Sequence, residues 1–444
     1  MQKMKKTRNY SEETRSKKQG KNIIRIAAMC VVCAIALCSL TGCGGKNPGG
    51  HSALLDADVT FYTSTSFTTS RKPAAVSSDF REAYAEFALN LLRKCEKGDN
   101  TLVSPLSVMT ALAMTANGAD NKTLTEMLAV LCGGRFTTEE LNTQLFNFYE
   151  GLGNTKDAKF RSANAIWITS DPNVTPKTEF IDVISNTYRA QIAKAPLYEK
   201  KTVDAINEWC SQNTDEMIQK VLEYSDVDAN TLMVLLNALC FDAVWEKQYD
   251  SEQDVSDGTF HGAKGDQNAK MMYSTEKTYL SGAEETGFVK YYKGRQYAFV
   301  ALLPGEGLTV SEYLANLDAG RIAALIDSAD TSGGVHTAMP KFSFDWGNSV
   351  ADVLVDLGMV DAFSNSADFS KLFDVDSYIS DVIHKTHIDV DESGTRAAAV
   401  TAVILETKAI AYENYSVVLD RPFVYAIVDT ATWLPVFIGA VNYL

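Results

Sequence analysis

The 444-residue chain reads as an α+β protein with large sheets. Three observations predict this. Apolar residues recur at three- and four-residue spacing through much of the first half, as helices require. Near-continuous or alternating apolar runs dominate the second half, as strands require. No regular strand–helix alternation links the two, which argues against a doubly wound fold or an α/β barrel. No internal repeat is visible.

The folded part begins near Ser78. Ser78-Asp79 offers an N-cap, and Phe80, Tyr84, Phe87 and Leu91 recur at helical spacing. Ser104-Pro105 precedes a second helix over residues 108–116, and residues 123–132 and 137–152 look helical. Residues 160–169 alternate enough for a strand. The spacing of Ile206, Trp209 and Ile218 predicts a helix over residues 202–223. Residues 232–241 form an apolar run, as in a strand buried on both faces. Residues 297–303 are a strand stopped by Pro304-Gly305. Residues 338–344 and 378–390 read as strands, with helices at 308–317 and 349–357. Residues 422–428 and 434–441 form a C-terminal hairpin around Asp429-Thr430-Ala431-Thr432.

The N-terminus is not read as part of the fold. Residues 1–25 are strongly basic and residues 26–40 are uncharged and mostly apolar, the layout of a signal peptide. The apolar run is shorter than the roughly 20 residues of a membrane span. It ends in Leu40-Thr41-Gly42-Cys43, which resembles a bacterial lipobox. Residues 1–42 are therefore expected to be removed, with Cys43 lipidated and holding the protein at the outer face of the cell membrane. The alternative is an ordinary signal peptide and a secreted protein. Residues 43–77, rich in Gly, Ser, Thr and Ala, are expected to be a flexible tether, and residues 78–444 a single domain.

Composition narrows the function. The formal charge is −15, and removal of residues 1–42 leaves 32 basic against 54 acidic side chains, about −22. Such a surface repels phosphate backbones, so nucleic acid is not an expected partner. Of eight cysteines, Cys95, Cys132, Cys210 and Cys240 lie in the body, widely spaced. An exported protein is able to pair them, but no disulfide framework is indicated. No nucleophile elbow, phosphate loop or zinc-protease motif is present. His384 and His387 would point to opposite faces of a strand. Asp389-x-Asp391-x-Ser393-Gly394 has Val400 where a calcium loop needs glutamate, so neither motif predicts a metal.

The segment Asp391-Glu392-Ser393-Gly394-Thr395-Arg396-Ala397-Ala398-Ala399-Val400-Thr401 has no large apolar side chain. It reads as an exposed stretch small enough to enter a sheet later. Strand parity gives an inward set of Thr395, Ala397, Ala399, Thr401, Val403 and Leu405, all uncharged, with Arg396 and Glu406 outward. Gly394 would supply a flexible pivot.

Several motifs now fall into register. Asn100-x-x-x-Ser104-Pro105-x-Ser107, Asn237-Ala238-x-x-Phe241-x-x-x-Trp245, Met339-Pro340-Lys341-Phe342 and His384-Lys385-Thr386 are four of them. Glu392-x-Gly394-Thr395-x-Ala397-Ala398-Ala399, Arg421-Pro422-Phe423 and Phe437-Ile438-Gly439 are the rest. Together they resemble the serpin family of suicide protease inhibitors, over residues 78–444. The resemblance implies three sheets, eight or nine helices and an exposed reactive loop. It implies a protease inhibitor that is not an enzyme, needs no cofactor or metal, and acts as a monomer on a serine, or also a cysteine, protease. In such proteins the cut loop enters the main sheet as a new strand and drags the acyl-enzyme with it.

The resemblance also assigns residues. Glu392, Gly394, Thr395, Ala397, Ala398, Ala399 and Thr401 match the loop hinge. Asn100, Ser104, Ser107, Asn237 and His384 match the region beneath the sheet's opening point, and Trp245 its top. Their expected role is gating; ordinary core packing of His384 and Trp245 is the alternative. Counting seventeen residues from Glu392 places the cut between Lys408 and Ala409, which would suit a trypsin-like protease. Counting back from Pro422 places it up to three residues later. A non-inhibitory serpin or a lipid-anchored binding protein is the competing function.

Overall fold

The computed structural model describes residues 58–62, 64, 72–214, 216, 218–395 and 413–444. Residues 1–43, Ala397, Ala398, Ala399, Thr401, Lys408 and Ala409, for which the sequence carries expectations, lie outside them. Nine α-helices and three sheets are present among the described residues.

A short strand β1 (Thr60–Tyr62) precedes helix α1 (Ser78–Cys95). The cap of α1 is Ser77, one residue before the expected Ser78: its hydroxyl accepts the Phe80 N–H. Strand β2 (Thr101–Val103) leads into α2 (Pro105–Ala116), with Ser104 as N-cap and proline at the first helical position. Helix α3 (Asn121–Cys132) ends on left-handed Gly133, and α4 (Thr138–Gly151) opens with a Thr137/Glu140 capping box. Strand β3 (Ala158–Thr169), α5 (Thr178–Tyr188), β4 (Gln191–Ala195) and α6 (Lys200–Asn213) follow.

Helix α6 stops ten residues short of the sequence expectation. The Thr214 hydroxyl bonds back to the Cys210 carbonyl, and the Asn207 side chain accepts the N–H groups of Val221 and Leu222. A strap therefore doubles back along the helix. Ile218, on this strap, had extended the helical pattern.

The second half holds β5 (Met233–Val244), β6 (Val255–Gly262), β7 (Gly265–Glu276), β8 (Thr278–Ser281), β9 (Glu285–Tyr291) and β10 (Tyr297–Pro304). Then come α7 (Val310–Asn316), α8 (Ala319–Asp327), β11 (Gly334–Pro340), β12 (Phe342–Ser349), α9 (Ala351–Asp356), β13 (Ile383–Val390) and β14 (Gly394–Thr395). Strands β15 (Glu413–Val418), β16 (Phe423–Asp429) and β17 (Pro435–Val441) complete it. The single strand expected over 338–344 is two strands, which pair in different sheets on either side of Lys341.

The main sheet runs β1-β4-β3-β5-β14-β13-β12. A second runs β2-β17-β16-β10-β9-β8, and a third β15-β11-β7-β6. The tether expected over residues 43–77 is interrupted by β1, which pairs with β4 at the edge of the main sheet. Three residues are too few for periodicity to reveal a strand; only the open edge of β4 selects them. The large core fills the space between sheets and helices α1–α4. A smaller cluster lies under α6 on the other face of the main sheet. No helix among the described residues is long and apolar enough to cross a membrane.

Candidate functional site

Strand β13 runs out at Val390 and the chain reverses at once. The Asp391 carboxylate accepts the N–H groups of Ser393 (2.7 Å) and Gly394 (3.1 Å), and the Asp391 N–H donates to the Gly394 carbonyl (3.0 Å). This folds Gly394 and Thr395 back between β13 and β5 as β14: Thr395 pairs with Val390 on one side and Ala243 on the other. These two hinge residues are therefore buried, whereas the sequence reading expected the stretch to be exposed. Thr395 is 3% accessible and its hydroxyl is bonded to that of Tyr292.

Gly394 is there for proximity rather than as a flexible pivot. A Cβ at that position would lie 2.0 Å from the Ala243 carbonyl oxygen and 2.9 Å from its carbon. It is not among the glycines with positive φ. Glu392 pairs with Lys341 at 2.5 Å; burial works against ionisation, but Lys341 prevails and holds the carboxyl below its ordinary pKa.

Trp245 grips this turn from β5's end. Its backbone N–H donates to the Ser393 carbonyl and its indole N–H to the Asp391 carbonyl, both at 2.9 Å. The ring is fully buried and stacks flat on Tyr292, centroids 4.4 Å apart. The same Tyr292 bonds Thr395, so the tryptophan, the tyrosine and the hinge form one block. Buried Lys290 lies over the Tyr249 ring at 4.3 Å and pairs with Glu276 at 2.7 Å. Burial favours loss of its proton, but Glu276 and Tyr249 outweigh burial and keep the ammonium above its ordinary pKa. Sequence reasoning missed Tyr292, Lys290 and Glu276. The only signal was a lysine at an otherwise apolar position of β9.

Below Thr395 the main sheet is open. Strand β5 meets β14 only through Ala243 and Val244, and β13 meets it only through Val390. Elsewhere β5 and β13 share no ladder among the described residues. A cavity of about 20 Å³ lies in the gap, lined by Ile218, Leu239, Cys240, Phe241, His387 and Ile388 with Thr395 as its roof. That is room for about one water.

Helix α2 bridges the two lips of this cleft from the core side. Ser104 N–H donates to His384 Nε2 on β13 (2.9 Å), and Ser107 Oγ donates to the Asn237 carbonyl on β5 (3.2 Å). The Ser104 hydroxyl links the two by accepting from the Ser107 N–H (3.2 Å) while donating to the Val436 carbonyl (2.8 Å). The Asn237 side chain donates to Asn164 and Tyr149. Four of the five residues assigned beneath the opening point thus converge. Asn100 does not: its amide accepts the N–H groups of Asn442 and Tyr443 and donates to the Tyr443 carbonyl, which pins the C-terminus. His387, on the opposite face of β13 from His384, pairs with Asp345.

Burial pushes the His384 pKa down to about 4. Nε2 accepts from Ser104, so the ring must be neutral in the folded state. The unfolded ring titrates near 6.5, so this histidine's contribution is complete above that pH and is lost as pH falls from 6.5 towards 4. Between pH 7 and pH 5 the loss is on the order of 2 kcal/mol. Urea midpoints at the two pH values should show it, and His384→Gln should reduce the pH dependence by that amount. An unchanged dependence would assign the acid sensitivity elsewhere.

Comparison with known proteins agrees with this geometry. An uncharacterised serpin-like protein of Thermococcus kodakarensis is 31% identical over 377 residues, covering 82% of this chain and 84% of its own length. Antithrombin-III of Homo sapiens is 30% identical over 364 residues, covering 77% and 76%. The native-state crystal structure of tengpin, a thermophilic serpin, superposes with a TM-score of 0.79 at 39% identity, covering 84% of this chain and 96% of that one. Its latent state scores 0.74. The family model described as "Serpin (serine protease inhibitor)" matches residues 82–444, and the chain belongs to the serpin family.

Proposed function

We propose that this serpin is a suicide-substrate inhibitor of serine proteases, acting as a monomer. One observation carries the reading. The first two residues of the arm, Gly394 and Thr395, already sit between β5 and β13, while the rest of that gap has no ladder among the described residues. Continuing the register puts every second residue from Thr395 on the core face. The sequence supplies Ala397, Ala399 and Thr401 there, small enough for a narrow seam. A cut arm zipping downward gains ladder hydrogen bonds and buries apolar surface, and this drives the trap.

The proposed cut lies between Lys408 and Ala409, which selects trypsin-like proteases with an acidic pocket. Trypsin incubated with the mature chain should give, on denaturing electrophoresis, a band at the mass of the protease plus the chain up to the cut, with the C-terminal fragment released. Lys408→Asp should lower its yield at least tenfold. A merely clipped band would support the non-inhibitory alternative, and an unchanged yield for Lys408→Asp would move the cut to a later residue. Lipidation of Cys43 places the trap at the outer face of the cell membrane. Labelled palmitate should enter the wild type and not Cys43→Ala.

A further inference from the structure

One short segment grips the hinge, and a buried cation stands behind it. Residues 245–249 leave the main sheet after β5 and clasp the turn at residues 391–393. Trp245 supplies two of the hydrogen bonds; the Gln248 amide donates to the Ser393 carbonyl (3.3 Å) and the Tyr249 N–H to the Glu392 carbonyl (3.0 Å). Lys290, on β9 of the second sheet, is fully buried behind this clasp. Its Nζ donates to the Lys247 carbonyl (3.2 Å) and lies 4.3 and 5.5 Å from the ring centroids of Tyr249 and Trp245. Trp245, Lys247 and Tyr249 thus rest on one ammonium group. Its counter-ion, Glu276 (2.7 Å), lies on β7 of the third sheet, and the same carboxylate oxygen accepts the Ser274 hydroxyl (2.6 Å). The third sheet also holds β15, the strand that follows the proposed cut. The ion pair therefore ties the clasp on the hinge to the sheet that receives the other end of the loop.

We propose that Lys290 is a positioning residue of the trap: it braces residues 245–249 so that the hinge turn stays fixed while the cut arm enters. The inference rests on the inhibitor reading. Zipping starts from Thr395, whose place between β13 and β5 depends on the turn at residues 391–393. Insertion competes with hydrolysis of the acyl-enzyme, so a loose first rung diverts cut chains to clipped product. Lys290 acts through the clasp rather than on the arm.

An apolar side chain of the same length fills the space but does not brace. It removes the donor that Lys290 gives the Lys247 carbonyl, and it offers the two rings no cation. Burial opposes the charge, yet Glu276 and Tyr249 keep the ammonium protonated. Replacing both members of a buried ion pair by apolar side chains of similar volume is often neutral for stability, whereas removing one member is not. Lys290→Met combined with Glu276→Leu therefore separates bracing from folding.

The test compares the mature wild-type chain with that double variant, with Lys290→Arg and with Leu325→Ala, each incubated with trypsin. Leu325, buried on α8 outside the clasp and the hinge, is the stability control. The double variant should consume at least fivefold more inhibitor per trypsin trapped, and its Trp245 and Tyr249 amides should exchange with deuterium at least tenfold faster. Lys290→Arg keeps the charge and the donors and should stay within twofold of wild type. Leu325→Ala should lower the urea midpoint and leave the trapping yield unchanged. A second neutral pair, Lys290→Gln with Glu276→Gln, guards against misfolding of the first and should lose trapping at least twofold. Wild-type trapping by either folded pair overturns the brace, as does an equal loss of trapping in Leu325→Ala or Lys290→Arg. A wild-type chain that is only clipped and gains no thermal stability sinks the inhibitor reading instead. The exchange rates at Trp245 and Tyr249 then still decide whether Lys290 holds the clasp.

Discussion

Gly394→Val is expected to convert the protein from a trap into a substrate. The valine Cβ would fall 2.0 Å from the Ala243 carbonyl oxygen and 3.0 Å from the Val244 Cα. Both are backbone atoms of a strand paired along its other edge to β3, so neither gives way. The hinge must leave the sheet, and the same clash meets any attempt to enter it. Trypsin should still cut the loop, but the fraction of protease held covalently should fall at least tenfold, and the clipped product should lack the rise in melting temperature. Thr395→Val is the control. It keeps the shape and loses the hydroxyl bonded to Tyr292, at a cost of about 1 kcal/mol, and should still trap. Wild-type trapping by Gly394→Val would show that the close approach at Ala243 is not needed for insertion.

Trp245→Ala should have the largest effect on stability. The indole is fully buried, stacks on Tyr292 and donates to the Asp391 carbonyl. Its removal leaves a cavity and an unpaired carbonyl, at a cost of about 3–5 kcal/mol. The urea midpoint should fall accordingly. The Thr395 amide should exchange with deuterium at least tenfold faster, because the hinge loses the block it rests on. Trp245→Phe restores most of the bulk but not the donor, and should recover more than half of the stability. An alanine variant with wild-type exchange at Thr395 would separate the tryptophan from the hinge.

Much of the fold was legible because local physics repeats itself. The apolar rows of α1, α3 and α4 mark their buried faces, and the C-terminal hairpin announces itself by its turn residues. Strands β6 to β9 were not legible. Residues such as Ser256, Asp257 and Glu285 break the apolar period, since one face of these ribbons is wet or paired by charge. The join at Lys341 was hidden because both flanking strands are apolar, and only sheet membership separates them. The strap after α6 was hidden because Ile218 packs under the helix from outside it.

The site divides the same way. Motif spacing pointed to Ser104, Ser107, Asn237 and His384, and the structure adds what joins them: the first turn of α2 reaches both lips of the cleft. Asn100 shares their motif yet serves the C-terminus, because the three residues of β2 separate it from Ser104 and set it beside the residues that follow β17.

The sequence by itself determined the small-residue composition of the arm and the helical and strand segments that periodicity marks. Each of these depends on neighbours a few residues apart. Only the tertiary structure decided that Gly394 and Thr395 are already seated and that, among the described residues, β5 and β13 share no ladder beneath them. It alone placed Trp245 on Tyr292. Strand partners are chosen by backbone groups far apart in the chain, and hydrogen bonding between backbones leaves no mark on side-chain order.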